Sequence, residues 1–325
     1  MNDLAGQPFY HLRPNKSIDR SLFIQTLIGL SRVLPISSYK YTGFGSYSFD
    51  DFKLLHDLLN IHNLISLEKE EDSYKRAEFN LPYGCINLKF STSTDYISGL
   101  DIGDKEHNIF WLDFVSPSEL GRQLADYMTL LGKLNPNDIV RITLNANPSS
   151  LGSDSPPDQL QKTRLQKLKE RVEENYIPSW ISEGDVTTAK YPLTLLNILK
   201  KATFFCLSQN TEQKNFMLPL FSSVYADGQQ MVTFTGIILN NSRRESVIKR
   251  SLKAYPHVNF SWNDPSKIAI PHLTVREITE INKMLPTAEM KRLKQEFPFV
   301  FFNDDDLNSY LSFYKYYPNY HQVSF

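Results

Sequence analysis

What most limits the fold of this chain is a series of short apolar runs, each set off by a helical or polar stretch. The runs are "ISSYKYTGFGS" (36–46), "NLISLE" (63–68), "CINLKF" (85–90), "NIFWLDF" (108–114) and "DIVRITLN" (138–145). Between them lie "SFDDFKLLHDLLNI", "KEEDSYKRAEF" and "SPSELGRQLADYMTLLGKL". In the first of these, Phe52, Leu55, Leu58 and Leu59 mark a helical stripe, and Asp50 and Asp51 sit in the first turn, where the helix dipole favours acids. Short apolar strands alternating with helices are the signature of βα units around a mostly parallel sheet. An α/β fold is therefore expected.

The flanking segments read differently. "SIDRSLFIQTLIGLSRVL" (17–34) is a helix with Ser17 or Asp19 as cap and Pro35 as stop. "NPSSLGSDSPPDQ" is a loop, followed by the charged helix "LQKTRLQKLKERVEENY" and the helix "PLTLLNILKKATF". "NFMLPLFSSVYADGQQMVTFTGIIL" is a hairpin turning at Ala226–Asp227–Gly228. Beyond it, Thr274 and Glu277 fit a capping box, and "LNSYLSFYKYY" is an aromatic helix. The expected organisation is an N-terminal arm and helix (1–35), an α/β domain (36–245) with a helical insertion at about 149–185, and a small, mainly helical C-terminal domain (246–325).

Composition excludes some classes. A net charge of −1 over 325 residues offers no global attraction for nucleic acid. Two distant cysteines, Cys85 and Cys206, lack metal-ligand spacing and argue against a disulfide scaffold or a zinc site. The start "MNDLAGQPFYHLRPNK" has no apolar signal core, and no apolar run approaches about 18 residues, so a soluble cytoplasmic chain is expected.

The candidate chemistry gathers on one sheet edge. Gly43 and Gly45 form a strand–GxG–helix corner, which exposes backbone N–H groups at a helix start and lets a ligand approach closely. Glu68 closes the next strand, where an acid accepts hydrogen bonds from both ribose hydroxyls of an adenosine. Asp95 follows the third strand, where a loop reaches the adenine edge, and Asp113 ends the fourth. A bare GxG is more often structural than not, and an acid ending a strand is usually a solvated edge. Their order carries the reading.

That order resembles the class I S-adenosylmethionine-dependent methyltransferase fold, a Rossmann-like, mostly parallel sheet ending in an antiparallel hairpin. More narrowly, "YHLRPNKSIDRSLFI…YTGFGSYSFDDFKLLH…LISLE…FNLPYGCINL" resembles bacterial chains described as O-methyltransferase-like, some of them linked to defence or mobile-element systems. The likeness of fold spans about residues 20–240 and the narrower one is strongest over 10–115. It implies S-adenosylmethionine as cofactor, with Gly43 and Gly45 facing its methionine and ribose part, Glu68 the ribose hydroxyls and Asp95 the adenine. Asp113 is implied beside the transferred methyl group. Two positions depart from the pattern. Tyr41 stands where the family carries an acid, leaving Asp50 or Asp51 as substitute for holding the cofactor's ammonium, and Tyr47 stands where a third glycine is common.

Other readings stay beside this one. An inactive methyltransferase-like subunit, docking on other proteins through Tyr310, Phe313, Tyr314 and Tyr317, fits the degenerate corner; the bland reading of those rings is core or an interdomain seam. A nicotinamide dehydrogenase lacks its third glycine and a hydride-transfer constellation. "NANP" (145–148) resembles the motif of methyltransferases acting on base amino groups but follows the fifth strand instead of the fourth. Arg13, Lys16 and Arg20 at the first helix suit an anion, an acidic partner or a solvated arm, and Arg243, Arg244, Lys249 and Arg250 suit phosphates or an exposed linker helix. "NDDD" (303–306) suits helix capping more than a metal, and His56 is expected on a polar helix face.

Overall fold

Each apolar run becomes a strand, and the polar stretches between them become the crossovers. The computed structural model describes residues 13–103, 106–209, 214–287, 289–300 and 304–318. In chain order the elements are α1 (Pro14–Leu30), β1 (Lys40–Gly43), α2 (Asp50–Leu59), β2 (Asn63–Glu68), α3 (Glu71–Phe79), β3 (Ile86–Phe90), α4 (Ser93–Ser98), β4 (Asn108–Asp113), α5 (Leu120–Leu131) and β5 (Ile139–Asn145). There follow α6 (Leu160–Arg171), α7 (Tyr191–Ser208), β6 (Phe216–Asp227), β7 (Gln229–Leu239), α8 (Ser242–Leu252), β8 (Ser266–Ile268), α9 (Val275–Met284), α10 (Met290–Glu296) and α11 (Asp304–Phe313).

The first seven strands lie in the order β3-β2-β1-β4-β5-β7-β6. Strands β1 to β5 pair in parallel, and β7 runs antiparallel to β5. Gly228, at φ 100°, turns the β6–β7 hairpin in a conformation that favours glycine. This is a Rossmann-like α/β sheet with a terminal antiparallel hairpin, as the resemblance implied. Its direction of winding reverses between β1 and β4, and ligands of open α/β sheets bind outside the carboxyl ends of the strands at such a point.

Two compact units divide the chain. Among the described residues, the larger holds those of 23–224 and 229–266, the smaller those of 1–22, 225–228 and 267–325. These seams differ from the expected boundaries after 35 and 245. The cause in the larger unit is α8, which stays with the second half of α1: a Cβ on Gly29 would stand 2.5 Å from Leu252 and 2.7 Å from Tyr255. One face of the sheet carries the core of α5, α7 and the strands, with Leu124, Tyr127, Leu130, Leu195 and Leu199 buried against Val140, Ile142 and Phe234. Elsewhere in this unit the fully buried Arg141 guanidinium lies 4.6–5.2 Å from the ring centroids of Phe23, Trp111 and Phe221. Its Nη1 donates to Thr235 at 2.6 Å.

Local differences have local reasons. Helix α1 starts at Pro14, a residue suited to a first turn because its missing N–H would have no helical partner. Ser17 and Asp19 therefore lie inside it. Within the smaller unit the Asp227 carboxylate accepts the backbone N–H of Asn15 and Lys16 at 3.3 and 2.8 Å, and the Asn15 side-chain amide at 2.9 Å. The anion at this helix start is thus supplied by the chain itself, and Lys16 and Arg20 are buried, not a solvated arm. In α2, Phe52, Leu55 and Leu59 are buried but Leu58 is 56% exposed, because it falls off the 52–55–59 face. In the smaller unit Thr274 and Glu277 form the capping box, and Tyr310, Phe313 and Tyr317 are buried, which supports the core reading of those rings over the docking patch. Asp304, Asp305 and Asp306 occupy the first turn of α11; Asn303 lies outside the described residues. None of the described helices is long and apolar enough to cross a membrane.

Candidate active-site cleft

Over the carboxyl ends of β1, β2 and β4 opens a cleft of about 200 Å³. The strand ends deliver Phe44, Glu68 and Asp113 to it, the segment after β3 delivers Ser91, Thr92 and Ser93, and the β4–α5 link delivers Phe114, Val115 and Ser116. Glu68 owes its pose to the turn that follows it. Its Oε1 accepts the backbone N–H groups of Lys69 and Glu70 at 2.9 and 3.1 Å, and Oε2 takes no partner among the described residues. Such a carboxylate is oriented by the main chain and keeps an acceptor for a ligand hydroxyl. On the opposite rim Arg122 pairs with Glu119 at 2.7 Å, and Gln123 donates to the Ser116 carbonyl at 2.6 Å.

Gly43 and Gly45 are not among the lining residues; Phe44 between them is. The glycines answer to the protein's own packing. A Cβ on Gly43 would lie 2.5 Å from the Tyr41 hydroxyl, and one on Gly45 would lie 2.6 Å from the Phe49 ring and 2.9 Å from Ser66 Oγ. The Gly45 amide donates to that same Ser66 hydroxyl at 3.0 Å, tying β1 to β2 at the mouth of the cleft. The corner is strained as well as crowded. Ser46 and Phe49 sit at φ 50° and 51°, a region costly for side chains and often found where a loop is held for function. Tyr41 donates its hydroxyl to the buried Asp51 carboxylate. Tyr47 packs its ring on the Arg76 guanidinium at 3.6 Å.

Asp95 departs from its expected place. Where a loop is expected the chain forms the short helix α4, and Asp95 is exposed on its first turn with Oδ2 accepting the Thr92 hydroxyl at 2.6 Å. Its backbone N–H donates to Oγ1 of the N-cap residue Thr92 at 3.1 Å, so Asp95 is engaged at the start of the helix and lies outside the cleft lining. Thr92 with an acid three residues on is a helix-start signal, and it was the readable clue to α4. Ser93 and Thr94 donate to the two oxygens of buried Asp126 on α5 at 2.6 and 2.8 Å, which fixes this segment beside the cleft. The strand-end reading placed Glu68 and Asp113 together. It missed Phe44, Ser91–Ser93 and Arg122, which depend on how the segments after β1, β3 and β4 pack.

A sheet of this winding with a cleft of mixed apolar and polar lining over its switch point defines a Rossmann-like α/β protein of the methyltransferase type. Residues 8–325 match the family described as "Putative O-methyltransferase", and the chain belongs to that family. Among solved structures it is similar to the plantazolicin methyltransferase BpumL in complex with SAH and a pentazolic desmethylPZN analog, at 9% identity over 68% of this chain and 85% of that one, with a TM-score of 0.40. It is also similar to the N-methyltransferase NodS of Bradyrhizobium japonicum WM9, at 10% identity over 68% and 97% with a TM-score of 0.38. A third is a protein from Klebsiella pneumoniae described as a "putative O-methyltransferase", at 10% identity over 71% and 91% with a TM-score of 0.36. No curated protein sequence matches the chain.

Proposed function

We propose that this chain is an S-adenosylmethionine-dependent methyltransferase that modifies an oxygen or nitrogen nucleophile. The observation that carries the reading is the convergence of Glu68 and Asp113 on one cleft at the switch point of the sheet. The donor set fits the cofactor. In this reading Glu68 Oε2 accepts ribose hydroxyls, Leu67, Phe44 and Val115 supply apolar wall, and Ser91, Thr92 and Ser93 offer hydroxyls to the edge of a base. When bound, the cofactor supplies a methyl group activated by its positive sulfur.

The chain's own work is placement. Asp113 aligns the acceptor's O–H or N–H and takes its proton as the new bond forms in line with the bond that breaks. Gly43 and Gly45 serve indirectly, by letting the corner close so that Phe44 reaches the cleft. Tyr41 and Asp51 hold one another, which leaves the ammonium of the cofactor without its usual acid at the Tyr41 position. That departure favours a second reading: a methyltransferase-like subunit without activity, serving as a protein-interaction or nucleotide-sensing part of a bacterial, including defence, system.

A transfer assay with labelled cofactor and a panel of hydroxyl and amine acceptors separates the two. Asp113→Asn is expected to cut transfer at least about 100-fold, in the range of a lost general base, while cofactor affinity stays within a few-fold of wild type. Transfer undiminished in Asp113→Asn would remove that residue from the chemistry. Cofactor binding with no transfer to any acceptor would favour the sensing subunit.

A further inference from the structure

At the edge of the sheet away from the cleft, three side chains from separate parts of the chain come together. They are His56 near the end of α2, His62 in the link to β2 and Cys85 immediately before β3. A ring nitrogen of each histidine and the Cys85 sulfur all lie within 4.8 Å of one another. The fold brings them there for identifiable reasons. Strands β2 and β3 pair with Leu64 opposite Ile86, so His62 and Cys85 stand at neighbouring strand starts. Asn60, at φ 55°, turns the chain back so that the two imidazoles meet edge to face with 5.0 Å between centroids.

Each histidine has one ring nitrogen held by an oxygen of the chain. The Ile61 carbonyl can only accept, so His56 Nδ1, 3.1 Å away, carries the proton and Nε2 the lone pair. Asn60 Oδ1 likewise accepts from His62 Nε2 at 3.0 Å, which leaves His62 Nδ1 as the lone-pair nitrogen. A ring whose one N–H is held by an oxygen is the usual outer arrangement around a metal-bound histidine. Cys85 Sγ lies 3.7 Å from that same His56 Nδ1, and Cys85 is in no disulfide; an ion that takes His56 through Nδ1 displaces the Ile61 carbonyl, and one that takes it through Nε2 requires the thiol to move. Tyr83 closes one flank, its ring 4.6 Å from His56 and its hydroxyl donating to Asp57 at 2.8 Å.

We propose that His56, His62 and Cys85 bind a transition-metal ion of the Zn²⁺ type, with the fourth position left to water. Two imidazoles and a thiolate suit a borderline-soft ion and are a poor set for Mg²⁺ or Ca²⁺, which prefer oxygen. Zinc bonds of about 2.0–2.3 Å in a tetrahedron separate ligand atoms by roughly 3.3–3.7 Å. The cluster therefore closes by about an ångström, and it has room to do so because His62 is exposed and the other two are half-buried. The ion clamps α2 to the starts of β2 and β3. Glu68 stands six residues along β2 from His62, roughly 20 Å at the rise of a strand, so the site is separate from the cleft and independent of its chemistry. The site was invisible as spacing because its ligands meet only through the parallel pairing of β2 and β3.

The test is a titration of the reduced full chain with Co²⁺ as spectroscopic probe, followed by displacement with Zn²⁺. One equivalent is expected to give thiolate-to-cobalt charge-transfer absorption with four-coordinate visible bands, and Zn²⁺ should abolish both and raise the melting temperature. Cys85→Ser should lose the charge-transfer band, and His62→Ala, an exposed position that keeps the test open should the first variant misfold, should weaken binding at least tenfold. Cys206→Ser should leave the band unchanged; burial pushes that thiol up to about 11, away from ready metal binding. Absence of a charge-transfer band in the wild type, or a band that survives Cys85→Ser, would overturn the site.

Discussion

Gly45 gives its amide to the Ser66 hydroxyl at 3.0 Å, and the place of its missing Cβ is taken by the Phe49 ring and by Ser66 itself. Gly45→Ala should therefore destabilise the fold by about 1–3 kcal/mol through overpacking, and denaturant unfolding would show it; an unchanged midpoint would mean that the corner yields freely. The sequence showed that this position suits glycine but not the packing around it, since the two-residue spacing is the same whether a ligand or a phenylalanine lies close. Glu68 was legible for the opposite reason: the end of an apolar run fixes the strand end, and the strand end fixes the cleft. Asp138 was not legible as unusual, because only folding buries it. Burial lifts its carboxyl to about 7, against the lowering effect of the N–H bonds from Asn135 and Asn108 at 2.8 and 2.7 Å. The folded state thus prefers the protonated group. Its contribution to stability is present below about pH 4, the ordinary carboxyl range, and is lost as pH rises through about 7. His107, 3.8 Å away, is held below its ordinary value by burial and by Arg244, and acts in the opposite sense as pH falls. The expected result is a fall in stability between about pH 4 and 7 that is flattened in Asp138→Asn, measured by urea unfolding across that range; parallel curves for both proteins would contradict it.

Among the elements, strands were the most readable and short helices the least. Runs such as "NIFWLDF" must be buried on both faces, and that demand survives any detail of packing. Helix α4, six residues long, offers too few turns for a periodic pattern, and it is held by Ser93 and Thr94 on Asp126, a partner more than 30 positions away. Helix α1 shows the same limit at its start, where Asp227 from the hairpin satisfies the N–H groups of Asn15 and Lys16 that a sequence-local cap would have taken. Close approach of elements is tested best at Gly121 in α5. A Cβ there would stand 2.3 Å from the Arg171 carbonyl at the end of α6, and backbone cannot swing aside as a side chain can. Arg171 also anchors that helix end by donating to the Pro117 and Ser150 carbonyls at 3.1 and 2.8 Å. Gly121→Ala should cost about 1–3 kcal/mol and loosen α6 more than the sheet, seen as faster amide exchange in α6. Exchange that rises uniformly along the chain would argue against a local clash.

For the molecule as a whole, the strand order β3-β2-β1-β4-β5-β7-β6 and membership of an O-methyltransferase family agree with a fold class that alternating runs and a hairpin had already pointed to. The division into units was harder to read, because the described residues of 1–22 and 267–325 lie far apart in sequence yet belong to one unit. A boundary drawn along the chain cannot show such a pairing. The central claim is that the cleft holding Glu68 and Asp113 takes the adenosine part of a methyl donor, and calorimetric titration of S-adenosylhomocysteine tests it most directly. Glu68→Gln keeps an oxygen for the Lys69 and Glu70 amides but lacks the charge, so it folds as the wild type does and isolates the ligand's hydroxyls. The account predicts one site of micromolar affinity in the wild type, weakened at least about tenfold in Glu68→Gln, the loss of roughly one charge-assisted hydrogen bond. No binding at millimolar ligand, or equal affinity in both proteins, would contradict it.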